Sequence, residues 1–276
     1  MSSPILRFAP SPNGLLHLGH AFSAFFTWRA AERLGGTALL RMEDIDTARC
    51  KPEFDAAIRQ DLHWLGLAWP EPVMRQSARF DIYRDAAAQL GDLLYPCTCT
   101  RSEIAARAAA TDPDGAPLYD GHCRRHGTKA GAPAQWRLKM DEALRRAPEL
   151  TIAELHVTGI DLGTTPPVTR RADPARWGDA VIVRKDTPTS YHLSVVIDDA
   201  AQGITHVTRG MDLHAATDLH VLLQWLLGLP STIYAHHPLI RDDTMQKLSK
   251  SRASQSLRDL HAAGVTASNI KSGLGF

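Results

Sequence analysis

From Ile5 to Leu65 the chain alternates between short apolar runs and helix-like segments, and this alternation limits the possible folds more than any other feature of the sequence. Ile5 to Phe8 predicts a buried strand, Leu16 to about Leu34 a mostly buried helix, and Thr37 to Met42 a second strand. Pro52 to Leu65 then has apolar residues on one helical face. This order is typical of an α/β layer around a parallel sheet.

The pattern changes after about residue 95, where three of the four cysteines cluster and no long apolar period is present. Strand-like and helical segments return from Ala180 onward, at Val181 to Val183, Ile204 to Val207 and Leu213 to Leu227. The sequence therefore predicts one Rossmann-like nucleotide-binding fold in two halves, residues 1–94 and 181–276, interrupted by an inserted subdomain of residues 95–180.

Composition excludes several classes of protein. With 44% hydrophobic and 22% charged residues, the 276-residue chain can bury a core and is not wholly disordered. The net charge of +1 indicates no overall basic surface, so a nucleic-acid contact must be local. No apolar run approaches the roughly 18–20 residues that span a bilayer, and no signal-peptide pattern is present. We expect a cytoplasmic protein that does not contact a membrane and acts as a monomer.

Two motifs far apart in the chain suit a polyphosphate ligand. His17-Leu18-Gly19-His20 stands where a loop enters the first helix, and backbone N–H groups there, with the helix dipole, favour an anion. Gly19 leaves room for a base or a ribose. Lys247-Leu248-Ser249-Lys250-Ser251 lies in a polar loop, where two lysines can clamp phosphates. Taken alone, structural histidines and a solvated loop are the alternative interpretations.

Charged side chains follow three predicted strands and suggest a second ligand. Because ligands of an open α/β sheet bind beyond the carboxyl ends of its strands, we expect Arg7, Glu43 and Arg209 to share one site. Two guanidinium groups and one carboxylate suit a dicarboxylic amino acid, with one arginine for each carboxylate and Glu43 for the ammonium group. An ion pair between Arg7 and Glu43 across the sheet end is the alternative.

In this order, the motifs resemble those of class I aminoacyl-tRNA synthetases of the glutamate branch, and the resemblance runs from residue 5 to about 251. It implies that ATP, with Mg²⁺, is bound by His17, Gly19, His20, Lys247, Ser249 and Lys250. The catalytic residues among these are implied to be His17, His20 and Lys250. The implied glutamate pocket is lined by Arg7, Ala9, Ser11, Glu43, Tyr191 and Arg209.

Some features depart from the usual glutamyl enzymes. Val195 stands where they usually have asparagine, and Leu213 where they often have tryptophan. Only 25 residues follow Ser251, whereas an anticodon-binding domain needs on the order of 100. These features resemble a shorter paralogous branch without that domain. The branch implies tRNA-independent, ATP-dependent activation of L-glutamate and its transfer to queuosine, the wobble base in the anticodon loop of tRNA(Asp).

Three other functions stay open on the sequence alone. The nearest is a catalytic fragment of an ordinary glutamyl-tRNA synthetase that charges tRNA 3′ ends. A second is a non-catalytic RNA-binding module that kept the fold, although such a module would not require the intact ATP and glutamate motifs. The third is an ATP-dependent ligation of glutamate to a small amine.

A cysteine cluster predicts a metal site. Cys97, Cys99 and Cys123 supply three thiolates, which are ordinary zinc ligands, and spacing alone favours His122 or His126 as the fourth ligand. The resemblance instead implies a structural Zn²⁺ in an inserted subdomain of the acceptor-stem type, and its ligands would be Cys97, Cys99, Tyr119 and Cys123. Reduced cysteines in a loop are the alternative.

Overall fold

The computed structural model describes residues 3–240 and 255–276, and the elements named here lie within those ranges. Its strands are β1 (Ile5–Phe8), β2 (Thr37–Met42), β3 (Met74–Arg75), β4 (Leu94–Cys97), β5 (Gln135–Leu138), β6 (Thr151–Glu154), β7 (Val157–Thr158), β8 (Asp161–Leu162), β9 (Val168–Arg171), β10 (Val181–Val183), β11 (His206–Gly210) and β12 (Ile233–His237). Its helices are α1 (Leu18–Leu34), α2 (Pro52–Trp64), α3 (Phe80–Gln89), α4 (Arg101–Arg107), α5 (His122–His126), α6 (Met140–Arg146), α7 (Tyr191–Ala201), α8 (Ala216–Leu226), α9 (Leu257–Ala262) and α10 (Ala267–Gly273). None of these helices has the length and apolar character that crossing a membrane requires.

The centre of the fold is a parallel layer. β1, β2 and β3 pair in parallel on one side, and β11, β12 and β6 pair in parallel on the other, with β9 antiparallel at the edge. The two groups meet where the backbone N–H of Thr205 donates to the carbonyl oxygen of Ile5 at 2.9 Å. The predicted α/β layer with a parallel sheet is thereby confirmed.

The direction of the chain reverses between β1 and β11. From β1 the chain passes through α1 to β2, whereas from β11 it passes through α8 to β12, on the opposite side. The carboxyl ends of β1 and β11 therefore form a topological switch point, the position at which open α/β sheets bind ligands.

Helix α1 packs beside this region, and its sequence suits burial on most sides. Phe22 and Phe26 are almost fully buried, and burying each contributes roughly 1.5–3 kcal/mol to stability. The helix ends at Gly35, whose φ of 64° lies in the left-handed region that glycine adopts without strain. The predicted helix, Leu16 to about Leu34, thus agrees with the observed one except at its first two residues.

A second, antiparallel sheet consists of β10, β5 and β4. Val181–Val183 is a strand, as the sequence predicts, but it pairs with β5 and not with the parallel layer. Conversely, β6 and β9 lie between residues 95 and 180 and join the parallel layer through β12. The segment of residues 95–180 therefore contributes to both sheets, and the division of the chain at residues 95 and 180 stays a prediction.

Candidate active site at the carboxyl edge of the sheet

A cavity of about 460 Å³ opens at the switch point. Its walls come from the residues that end or follow β1, β2, β11 and β12, together with the first turns of α1 and α7. The nine predicted ATP and glutamate residues that the structure describes all line it: Arg7, Ala9, Ser11, His17, Gly19, His20, Glu43, Tyr191 and Arg209. Segments from distant parts of the sequence thus meet around one volume.

The two histidines of the first motif cap α1 with their own rings. The backbone N–H of Gly19 donates to Nδ1 of His17 at 3.1 Å, and the backbone N–H of His17 donates to Nδ1 of His20 at 3.2 Å. Because each Nδ1 accepts a hydrogen bond, the proton of each neutral ring is on Nε2. The helix N-terminus therefore presents two imidazole donors beside the positive end of its dipole, as an anion site requires.

Gly19 is needed for this cap. A Cβ atom at position 19 would lie 2.9 Å from Cε1 of His17 and 3.1 Å from its Nδ1. Any side chain there would displace the His17 ring from its hydrogen bond. The sequence suggests that Gly19 leaves room for a base or a ribose. The structure shows that Gly19 also leaves room for the ring of His17.

Arg7 and Glu43 belong to one buried ion-pair network, but they do not pair with each other. Nε of Arg7 donates to Oδ1 of Asp199 at 2.9 Å, and Arg41 donates to the same oxygen at 2.7 Å. Arg41 also lies 3.2 Å from Oε1 of Glu43. The alternative of a direct Arg7–Glu43 pair is therefore wrong, since Asp199 and Arg41 stand between them as partners.

The network controls the charges beside the cavity. Burial raises the pKa of Glu43, and the guanidinium groups of Arg41 and Arg7 oppose that rise. Burial acts in the same direction on Asp199, but Arg7 and Arg41 outweigh it and hold the pKa of that carboxyl below its usual range. Arg41, which is fully buried, keeps its charge because Asp199 and Glu43 compensate for its desolvation.

Arg209 is held differently. Its guanidinium donates to Nε2 of His236 at 3.3 Å, to Nδ1 of His220 at 3.1 Å and to the hydroxyl of Thr217 at 2.5 Å. It is 4% exposed, and it forms no ion pair with any carboxylate in the part of the chain that the structure describes. The two predicted arginines of the pocket therefore differ in kind, one paired with a carboxylate and one surrounded by neutral acceptors.

The two positions at which the sequence departs from the usual glutamyl enzymes lie in different surroundings. Leu213 lines the cavity. Val195 is 1% exposed and packs in the apolar cluster formed with α3 and α8, so it adds no polar group to the site. Both positions are apolar where the usual glutamyl enzymes carry polar or aromatic groups.

The second motif cannot be placed, because Lys247, Ser249 and Lys250 lie outside the described residues. Described residues on either side of it line the cavity or pair with a residue that lines it. Ile240 lines the cavity before the motif, and Ser256 pairs with His17 after it. The roles of the three residues stay predictions.

The predicted metal ligands come together at a second place. The sulfur atoms of Cys97, Cys99 and Cys123 lie within 4.8 Å of one another, and all three residues are buried. The hydroxyl of Tyr119 accepts a hydrogen bond from the backbone N–H of Cys123 at 2.7 Å, beside these sulfur atoms. The rings of His122 and His126 instead contact each other, with centroids 4.8 Å apart.

The thiols of this cluster differ in acidity. Burial and a hydrogen bond with Cys123 raise the pKa of Cys99 to about 11. Burial also acts against ionisation of Cys123, but hydrogen bonds from the Thr98 backbone, Cys99 and Tyr119 outweigh it and lower its pKa to about 6. The cluster thus stabilises a thiolate at one position, and the three sulfur donors could hold a soft metal ion.

The partners that hold the site together were not predicted from the sequence. Arg41 and Asp199 bind Glu43 and Arg7, and His220 and His236 bind Arg209. A signal was present for the first two, because a charged residue inside an apolar strand or helix is rarely buried without a partner. No sequence signal indicated which histidines lie at Arg209.

Known proteins are similar to this chain in sequence. Residues 5–274 match the family described as "tRNA synthetases class I (E and Q), catalytic domain". The chain is 46% identical to the glutamyl-Q tRNA(Asp) synthetase of Rhodobacter capsulatus, over 97% of this chain and 98% of the relative. It is 38% identical to the protein of the same name from Symbiobacterium thermophilum, over 96% of this chain and 83% of the relative.

A solved structure of a related protein has a similar fold. The fold is similar to a crystal structure of a glutamate tRNA ligase from Elizabethkingia meningosepticum in complex with its amino acid, with a TM-score of 0.66 and 29% identity. That match covers 95% of this chain and 53% of the ligase. The chain therefore belongs to the class I tRNA synthetases of the E and Q branch, in the family of the glutamyl-Q tRNA(Asp) synthetases.

Proposed function

We propose that the protein uses ATP to convert L-glutamate into glutamyl adenylate without tRNA, and that it transfers the glutamyl group to queuosine at the wobble position of tRNA(Asp). The names of relatives that match over most of their length support this proposal. One structural observation carries it: two arginines, a glutamate and a tyrosine share a cavity with a histidine-capped helix N-terminus.

Glutamate would bind by charge. Arg209 faces the cavity with a positive charge that no described carboxylate compensates, and it suits the side-chain carboxylate of the substrate. Arg7 would contact the α-carboxylate, and Glu43 would bind the ammonium group. Ala9, Ser11 and Tyr191 complete the wall around the substrate.

The first step is an in-line displacement at phosphorus. An oxygen of the glutamate α-carboxylate attacks the α-phosphate of ATP, a new O–P bond forms, the bond to the β-phosphate oxygen breaks, and pyrophosphate leaves. His17 and His20 would donate from Nε2 to phosphate oxygens, and Lys250 would neutralise charge that develops on them. Mg²⁺ bound to ATP would supply further charge neutralisation. In the second step a nucleophilic group of the modified base attacks the activated carbonyl carbon and AMP leaves.

The acceptor base needs a path to the adenylate. An adjoining cavity of about 160 Å³ shares Ser11, Asn13, Glu43 and Tyr191 with the main cavity and is lined further by Arg49 and Arg184. A base taken out of its stack could be held in this adjoining cavity beside the activated carbonyl. We expect the protein to bind the tRNA(Asp) anticodon loop as a monomer.

The cysteine cluster would hold a structural zinc ion in an inserted subdomain of residues 95–180. The donor set fits zinc, because three buried sulfur atoms and the Tyr119 hydroxyl converge there. Bound zinc would tie β4, which carries Cys97, to α5, which carries Cys123. Four protein ligands leave no open position for chemistry.

The first experiment is ATP–pyrophosphate exchange with purified protein, glutamate and no tRNA. We expect exchange that depends on glutamate. Lys250→Ala should lower the exchange rate far more than it weakens glutamate binding, whereas Lys129→Ala, an exposed lysine paired with Glu103, should change neither. No exchange in folded, zinc-loaded protein would count against the mechanism.

The second experiment identifies the acceptor. Purified tRNA(Asp), with and without queuosine, is incubated with labelled glutamate and ATP and then separated on acid gels, with periodate treatment to detect the modified base. We expect label only on tRNA(Asp) that carries queuosine. Label at the 3′ end of tRNA(Glu) would favour the alternative of an ordinary glutamyl-tRNA synthetase fragment.

A further inference from the structure

We infer that His220 and His236 are positioning residues which hold the Arg209 guanidinium as neutral hydrogen-bond acceptors and leave its charge for an anionic substrate side chain. This inference deepens the proposed function and rests on it. It assigns selection of glutamate over glutamine to a pair of histidines behind the cavity wall.

The hydrogen bonds determine the state of both rings. A guanidinium group has only donors, so Nε2 of His236 and Nδ1 of His220 must each offer a lone pair to Arg209. Thr217 accepts from Arg209, and its hydroxyl oxygen lies 3.2 Å from Nε2 of His236, the same nitrogen that accepts from Arg209. Neither ring can carry a second proton without losing its bond to Arg209.

Contacts on the far side of each ring favour the same tautomers. Nε2 of His220 lies 3.2 Å from Nδ1 of His192, to which it donates. Nδ1 of His236 lies 3.6 Å from Oε1 of Glu154. Burial and the charge of Arg209 also lower the pKa of His220 well below its usual value, and that of His236 to about 2. Both rings are therefore neutral at physiological pH.

His236 also separates Arg209 from a carboxylate. Glu154 contacts one ring nitrogen of His236 and Arg209 contacts the other, so that Glu154 does not pair with Arg209. The charge of Glu154 is compensated elsewhere, by Arg170 at 3.2 Å. Arg209 therefore lines the cavity with a positive charge that no described carboxylate pairs with.

The charges around the cavity then match one substrate. Among the buried charges, Arg7 and Arg41 balance Asp199 and Glu43, and Arg209 adds one positive charge to this neutral set. Asp212 also lines the cavity, but it is exposed to solvent. Free glutamate has one net negative charge and glutamine has none. A buried cation without a counter-ion is costly, and only a ligand with a second carboxylate removes that cost.

The test exchanges neutral acceptors for charged ones. The amide variants, His236→Gln and His220→Asn, keep a neutral acceptor near the original nitrogen. The carboxylate variants, His236→Glu and His220→Asp, put a negative charge against Arg209. His236→Leu removes the acceptor. Calorimetry measures glutamate and glutamine binding, exchange kinetics give KM for glutamate and for ATP, and circular dichroism checks folding.

We expect the carboxylate variants and His236→Leu to weaken glutamate binding about tenfold or more, with KM for ATP unchanged. The Gln and Asn variants should keep the preference for glutamate over glutamine within about threefold. Equal loss in amide and carboxylate variants would overturn the inference, as would full glutamate affinity in His236→Glu. If a carboxylate variant does not fold, the glutamate affinities of His236→Leu and His236→Gln are compared instead. Weaker binding in His236→Leu alone supports the inference, and equal binding in both variants overturns it.

The two proposals fail separately in this experiment. Wild-type protein that binds glutamate in preference to glutamine but catalyses no exchange would refute the proposed function and leave the inference intact. Wild-type protein that exchanges with glutamate but whose histidine variants all behave alike would refute the inference only. A wild-type protein that binds neither amino acid refutes both.

Discussion

At the scale of single residues, the carboxylate of Asp199 holds two buried arginines beside the cavity. It accepts hydrogen bonds from Arg7 and Arg41, both buried, through the same oxygen. The two arginines lie on neighbouring parallel strands, and their like charges would repel each other without the carboxylate between them. Asp199 thus makes it possible for two cations to lie side by side under the cavity.

Asp199→Asn should therefore be strongly destabilising. The amide removes the negative charge from two buried arginines, and breaking a buried ion pair in this way costs about 3–5 kcal/mol. Denaturant unfolding measures the loss of unfolding free energy. Asp186→Asn is the matched control, because Asp186 is exposed and its ion-pair partner is Arg184 at the surface, where the expected change is less than about 1 kcal/mol. Equal stability of both variants would contradict this account.

A second residue-scale prediction concerns Gly19. Gly19→Ala would bring a Cβ atom to 2.9 Å from the His17 ring and push it off its cap. We expect a loss of about 1 kcal/mol in stability from the cap, and about a tenfold or larger fall in the exchange rate from misplaced donors. Gly273→Ala, in α10, where nothing lies within 4 Å of the added atom, should leave the exchange rate unchanged. A Gly19→Ala enzyme with normal exchange would show that the His17 cap is dispensable.

At the scale of secondary-structure elements, the cysteine cluster joins a strand to a five-residue helix. A helix this short is not stable by itself, so α5 depends on its contacts. Tyr119 also packs under the guanidinium of Arg137, 3.9 Å from its ring centroid, which ties the cluster to β5. The local order of this region should therefore depend on whether the thiols bind a metal ion.

The metal prediction follows from this dependence. Purified protein should contain about one zinc ion per chain by elemental analysis, and a chelator should lower the melting temperature. Tyr119→Phe should weaken zinc binding, whereas His126→Ala should not, because the His126 ring packs on His122. Cys50→Ser is the control for loss of a thiol outside the cluster. Metal-free, fully stable protein as isolated would refute the prediction.

The elements differ in how well the sequence predicts them. β1, β2 and α1 could be predicted almost to the residue, because their apolar periods are clear and bounded by proline or glycine. The short strands β6, β9 and β12 could not, because each mixes apolar with polar or charged residues over only four or five positions, and such a segment does not specify its partner. The cavity residues were predictable from motifs, whereas the ion-pair partners that hold them were not.

At the scale of the whole molecule, two carboxylates that face distant parts of the chain have opposite effects on stability as the pH changes. Asp61 of α2 is buried near Arg258 and His261 of α9, and burial raises its pKa to about 6. Asp161, by contrast, accepts hydrogen bonds from Arg29 and Arg33 of α1, which lower its pKa to about 2. One carboxylate therefore opposes the folded state when ionised, and the other supports it.

The sign of each effect gives a prediction. The neutral form of Asp61 is favoured by folding, so its contribution is present below pH 4 and is lost as the pH rises through 6. Asp61→Asn should therefore gain stability relative to wild type between pH 4 and pH 7, on the order of 1 kcal/mol. Asp161→Asn should lose stability at neutral pH, with the difference vanishing near pH 2. Chemical unfolding at several pH values measures both, and parallel pH profiles would contradict the assignment.

The contacts of helix α1 bear on how the protein is made. Ser256 pairs with His17, and the ring of Phe276 packs against Phe22 and Phe25 of α1. The helix that presents the phosphate donors is thus completed by a part of the chain that leaves the ribosome long after the helix itself. A nascent chain therefore lacks these contacts of α1 until residues 256–276 have been made, and the first motif gains its full support only late in translation.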